Sequence, residues 1–171
     1  RVLSSFEEGP GTLITFEEEG MEEPLISGIA FNRAEAKITV LGVPDRPGIA
    51  GAILGPVSDA NIEVDMIVQN VSSEGLTDFT FTVLTTDYER ALEITQAVGA
   101  ELGAREVSGT TQIGKISLVG VGMRSHAGVA TRMFRTLADE GINIQMISTS
   151  EIKISVVIDE KYLELGVRAL H

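Results

Sequence analysis

Asp45-Arg46-Pro47-Gly48, with Ile49 and Ala50 behind it, is the stretch best equipped for chemistry. Pro47 has a fixed φ and suits the first position of a helix. That makes Arg46 the expected N-cap, and an arginine side chain has no acceptor to offer the helix amides. The N–H groups of Gly48, Ile49 and Ala50 would then lack a side-chain partner. Gly48 also lets a ligand approach the backbone closely. A bare helix start carries partial positive charge and suits a carboxylate. Asp45 beside it suits an ammonium or a hydroxyl. A carboxylate receptor next to a carboxylate describes a binding site for a free amino acid. The same residues also make a good turn, with water on the amides, and the local pattern leaves both readings open.

Other candidates are weaker. Ser125-His126-Ala127-Gly128 repeats the turn, but Ser125 is a normal N-cap, so this helix start can satisfy itself. His126 has no nucleophile or metal partner in the sequence and reads as a surface histidine. Asp65 and Gln69 lie on the outward face of one strand, Asn143 and Gln145 on that of another. Such side chains can hold a ligand backbone, line an interface between domains or simply face solvent. Glu17, Glu18, Glu19, Glu22 and Glu23 surround Gly20 without the ligand spacing of a calcium loop, so residues 1–24 read as linker.

These residues sit on a duplicated frame. KITVLGVPDRPGIAGAILGPVSDANIEVDMIVQN, residues 37–70, returns as KISLVGVGMRSHAGVATRMFRTLADEGINIQMISTS, residues 115–150. From Gly48/Gly128 onward the offset holds at 80 residues, through Asp59/Asp139, Ile62/Ile142 and Met66/Met146. Periodicity predicts the first unit as strand 37–43, a helix burying Ile49, Ile53, Val57 and Ala60, strand 62–70 with Ile62, Val64, Met66 and Val68 on one face, strand 77–83 with Phe79, Phe81 and Val83 inward, a helix after an Asp87 cap, and strand 104–108. That is β-α-β-β-α-β, the ferredoxin-like order. The second unit reads as strand 114–121, helix 126–140, strands 142–149 and 151–158, and helix 160–170, one strand short. An apolar run at 25–31 is the spare strand. We therefore expect an α+β protein with a first domain at 37–110 and a discontinuous second domain made of 25–36 and 111–171.

Composition removes several functions. The formal net charge of −12 disfavours nucleic acid and anionic membranes as partners, and with 5% aromatic residues and no Trp there is little to stack bases on. No apolar run is long enough to span a membrane. Cysteine is absent, which fits a reducing compartment, with cytoplasm the expected location. No phosphate-binding glycine loop precedes a lysine. The start at Arg1 suggests a piece of something longer.

VPDRPGIA, NIEVDMIVQN and ISTSEIKISVVI resemble the paired ACT domains of bacterial aspartokinase, and VLSSFEEGPGTLITF, residues 2–16, resembles the tail of its catalytic domain. The resemblance covers nearly the whole chain. It implies two ferredoxin-like ACT domains that sense L-threonine, L-lysine or both and feed back on ATP-dependent phosphorylation of aspartate. It also implies a homodimer joined to a catalytic domain or subunit that uses ATP and Mg²⁺; no cofactor or metal is expected in this part, nor any catalytic residue. The effector contacts it implies are Asp45, Gly48, Ile49, Ala50 and Gln69 from the first unit and Val129, Ala130, Asn143 and Ile144 from the second. Ala130 departs from relatives that carry a hydroxyl there. The alternative is an ACT-type dimerisation module that binds no effector.

Overall fold

A run of β-branched residues, Ile38, Thr39 and Val40, makes β2 (Glu35–Pro44) a strand whose Ile38 and Val40 are fully buried. The computed structural model describes residues 26–71, 74–120 and 127–171. After β2 come α1 (Ile49–Asp59), β3 (Val64–Val71), β4 (Leu76–Leu84), α2 (Tyr88–Leu102) and β5 (Glu106–Thr110). The second half holds β6 (Ile113–Gly120), α3 (Ala127–Asp139), β7 (Ile144–Thr149), β8 (Lys153–Asp159) and α4 (Leu163–Leu170). Before them all runs β1 (Ile26–Asn32). A single 3₁₀ turn leads into α2 and another into α4, the second occupying the start of the helix expected at 160–170.

Two antiparallel four-stranded sheets result, in the orders β5-β2-β4-β3 and β1-β6-β8-β7. The orders superimpose, with β1 in the place that β5 takes in the first sheet. β1 pairs antiparallel with β6, from Ile26 opposite Gly120 to Asn32 opposite Lys115. Without that strand β6 would expose a row of unpaired backbone groups.

Each sheet buries one face under its own helices. Ile49, Ile53 and Val57 of α1 pack with Phe79, Phe81 and Val83 in the first core. Val129, Met133 and Leu137 of α3 pack with Leu163 and Ile158 in the second. α2 centres its buried face on Ala91, Thr95 and Gly99, with Ile94, Val98 and Leu102 flanking it. Asp87 stands at its N-cap but makes no capping hydrogen bond, because the preceding 3₁₀ turn already holds it in a helical conformation. Glu140, the last residue of the helix expected at 126–140, lies beyond the end of α3 and is exposed.

The sheets' other faces meet each other. Met66 and Val68 of β3, Ile113 of β6, Met146 of β7 and Val157 of β8 form a third apolar cluster between the two units. This corrects the single-faced reading of residues 62–70. The β3–β4 register shifts between Val64 and Ile67, and the β7–β8 register shifts at the equivalent place, between Ile144 and Met146. A bulge adds a residue and re-aims the side chains beyond it. Ile62 and Val64 therefore stay with the helices, while Met66 and Val68 turn to the other unit. The Met66 amide, freed from the ladder, donates to Thr82 Oγ1 at 3.1 Å.

Candidate functional site

The Asp45 turn does open onto a cavity. Asp45, Arg46, Pro47, Gly48, Ile49, Ala50 and Gln69 line a recess of about 410 Å³. β2 delivers Asp45 as it ends at Pro44, and β3 brings Gln69 alongside the start of α1. The bulge matters here too. Gln69 faces this recess while Asp65, expected on the same strand face, is turned to the opposite side of the sheet.

The helix begins later than Pro47 suggests. Ile49 is its first residue and Gly48 its N-cap, with φ 91° and ψ −4°. That is left-handed backbone, which glycine adopts without steric cost. Arg46 is thus not the cap. Its carbonyl accepts from the Ile49 amide at 3.2 Å, which removes Ile49 from the expected set of bare donors. Among the described residues no side chain caps the helix. Among the described residues the Gly48 and Ala50 amides have no acceptor, and they lie beside the exposed Asp45 carboxylate. Asp45 is oriented from both sides: its amide donates to the Gly75 carbonyl at 2.9 Å, and the buried Thr77 hydroxyl donates to its Oδ1 at 3.2 Å. Bare N–H groups and a fixed carboxylate therefore share one recess, as an amino acid's two charges require.

The second-unit candidates lie apart from it within the chain. Val129 and Ala130 occupy the first turn of α3, where Ile49 and Ala50 stand in the duplicate, and both pack into the second core. Asn143 is exposed ahead of β7, and Ile144, half-buried at its start, lines a different cleft. None of the four lines the Asp45 recess. Ser125 and His126 lie outside the described residues, as do Glu17 to Glu23.

Sequence reasoning missed the polar contacts between the units. Lys115 Nζ of β6 contacts both Glu35 of β2 and Asp65 of β3. Burial pulls the Lys115 pKa down, but hydrogen bonds and charge from Asp65 and Glu35 outweigh it and leave it above the ordinary lysine value. Its duplicate, Lys37, donates to Gln145 Oε1 at 2.5 Å. Gln145 is the duplicate of Asp65, so each unit's first strand reaches the bulge of the other. Two lysines at one repeat position, opposite a polar pair at another, were the available signal.

Among the described residues no helix is long and apolar enough to cross a membrane, and no cluster of His, Asp or Glu is arranged to hold a metal ion. The two-sheet frame with a ligand-sized recess at a helix start is that of a tandem ACT protein. ACT domain family models match residues 37–103 and 116–171. The chain is 71% identical over 172 residues to aspartate kinase Ask_LysC of Stutzerimonas stutzeri, a match covering 100% of this chain and 42% of that protein. It superimposes on the crystal structure of aspartokinase alpha and beta subunits with TM-score 0.80 and 59% identity, covering 86% of this chain and 97% of the other. For the ligand-free regulatory subunit of aspartate kinase from Thermus thermophilus the figures are 0.81 and 40%, covering 85% and 96%. E. coli aspartokinase III in complex with lysine and aspartate gives 0.63 and 26%, covering 88% and 33%. The chain belongs to the aspartokinase family and represents its regulatory ACT region, spanning 42% of the length of the curated relative it matches.

Proposed function

We propose that this chain is the amino-acid sensor of an aspartokinase, binding L-threonine, L-lysine or both in the Asp45 recess. The ligand carboxylate takes the Gly48 and Ala50 amides, and its ammonium or side chain takes Asp45 and Gln69. The observation that carries this is the uncapped start of α1 beside a carboxylate that Thr77 and Gly75 hold in place. The catalytic domain or subunit, absent from these residues, would phosphorylate the side-chain carboxylate of aspartate with ATP and Mg²⁺. This chain supplies no step of that reaction.

Residues 25–36 and 111–171 form the second domain in this reading, with 37–110 inserted. Two chains associate through the outer strands β3 and β7, where Ile67, Val71 and Ile147 are 51%, 61% and 44% exposed. Sheet edges carrying exposed apolar residues favour pairing. Such a dimer would bring Val129, Ala130, Asn143 and Ile144 of a partner toward the first-unit recess and complete the site. The effector then inhibits by binding one arrangement of the dimer better than another, with a coupling of about 1–3 kcal/mol.

Calorimetry with L-threonine and L-lysine, separately and together, tests this. Saturable heat from at least one is expected; no heat from either at millimolar ligand leaves only the dimerisation module.

A further inference from the structure

The duplication puts two lysines in equivalent places between the units and then treats them differently. Around Lys115 stand two carboxylates: Glu35, 2% exposed, and Asp65. In the repeat, Glu35 corresponds to Ile113 and Asp65 to Gln145. Lys37 therefore faces an isoleucine position and an amide where Lys115 faces two acids. Among the described residues Lys37 has no ion pair; its contact is Gln145. Burial without a compensating anion lowers its pKa from the ordinary lysine value.

The hydroxyl pairs beside the two lysines differ as the charges do. Beside Lys37 lies a cleft of about 320 Å³ whose polar walls are Thr39, Asn70, Thr80 and Gln145. Thr80 Oγ1 donates to Thr39 Oγ1 at 3.2 Å, in a part-buried pair that lines the cleft. The matching hydroxyl pair of the second unit, Ser117 and Ser155, meets at 2.7 Å and is buried. On one side of the pseudo-symmetric interface the lysine is paired with carboxylates from within the chain. The other keeps a cation, two hydroxyls and two amides around an open space.

We propose that this cleft between the two units is a second ligand site, and that it takes a small organic carboxylate. The carboxylate stands where the carboxyl groups of Glu35 and Asp65 stand on the opposite side. Lys37 supplies the charge, and the Thr39, Thr80, Asn70 and Gln145 side chains supply hydrogen bonds. Because both units line it, an occupied cleft fixes their relative position. Within one chain the cleft shares no lining residue with the Asp45 recess; Ile144, which lines it, is the residue a partner would bring to that recess.

The test tracks the side-chain ε-CH₂ resonance of Lys37 in chain carrying ¹³C-labelled lysine, assigned by its loss in Lys37→Gln. Acetate, succinate and inorganic phosphate are titrated against chloride at constant ionic strength. A saturable shift of the Lys37 signal with acetate or succinate, and a rise in its pKa, is expected. Gln145→Glu places a carboxylate where Asp65 stands in the repeat, so it should fill the site from within and abolish the shift. Asp45→Asn should leave the shift intact, which separates this cleft from the sensor recess. Melting curves establish that each variant is folded. No shift at millimolar carboxylate, a shift with phosphate alone, or a shift unchanged in folded Gln145→Glu would overturn the proposal.

Discussion

Replacing Lys115 with methionine should loosen the two units by an amount the interface geometry sets. Methionine keeps most of the side chain's volume and removes only the charge. Glu35 is then left with one carboxylate oxygen bonded to Asn32 Nδ2 at 3.0 Å, while its Oε2 has no partner among the described residues, in a side chain 3% exposed. Removing one member of a buried ion pair costs about 3–5 kcal/mol. The Asp65 arm adds little, since its side chain is 47% exposed and such pairs contribute about 0.2–1 kcal/mol. Because Lys115 is partly accessible, the lower end applies, about 3 kcal/mol. For a chain of this size that is a fall in Tm of roughly 6–12 °C. Glu35→Ile with Lys115→Met copies the apolar solution at Ile113 and should recover most of the loss, because both charges go together. Thermal and urea unfolding read both variants. The pH dependence has a definite sign. The Lys115 pKa is raised on folding, so its contribution is fully present below the ordinary lysine value of about 10.4 and is lost as pH climbs through the folded value. The gap between the parent chain and Lys115→Met should therefore hold through neutral pH and shrink above about pH 10. A single variant within about 0.5 kcal/mol of the parent, the ordinary range for a surface change, would refute the reasoning.

Asp45→Asn should abolish amino-acid binding yet leave Tm nearly unchanged, because the residue is exposed and asparagine still accepts from Thr77; retained binding heat would count against Asp45 as the ammonium partner. Gly99→Ala should destabilise by about 1–3 kcal/mol even though alanine favours helix, because its Cβ would lie 2.4 Å from Val107 Cγ2. Adding Val107→Ala should relieve that clash, and urea midpoints that stay low in the double variant would show that the contact is not the cause.

Much of this architecture was legible because each element carries its own period. The 3.6-residue spacing of Ile49, Ile53 and Val57 and the alternation of Phe79, Phe81 and Val83 each name a buried face without long-range information. The offset of 80 residues supplied the second unit, and its missing strand singled out the apolar run that becomes β1. The bulges were hidden because alternation reads smoothly through Asp65 and Met66; only the partner strand shows that two residues oppose one. The same blindness put Asp65 and Gln69 on one face. Pro47 misled about the helix start, since a proline suits a turn as well as a first helical residue, and the left-handed Gly48 sets the true boundary. The Lys115 and Lys37 contacts span 50 and 108 residues, and nothing local marks them.

The central claim is that the Gly48 and Ala50 amides await the negative end of a free amino acid. Backbone ¹⁵N–¹H spectra of the chain recorded during titration with L-threonine, and separately with L-lysine, test it most directly. The titration should move the Gly48 and Ala50 resonances downfield to saturation together with the Gln69 side-chain amide, over a ligand range in which the Lys37 ε-CH₂ signal stays in place. Saturable binding that shifts other residues and leaves Gly48 and Ala50 in place would contradict it.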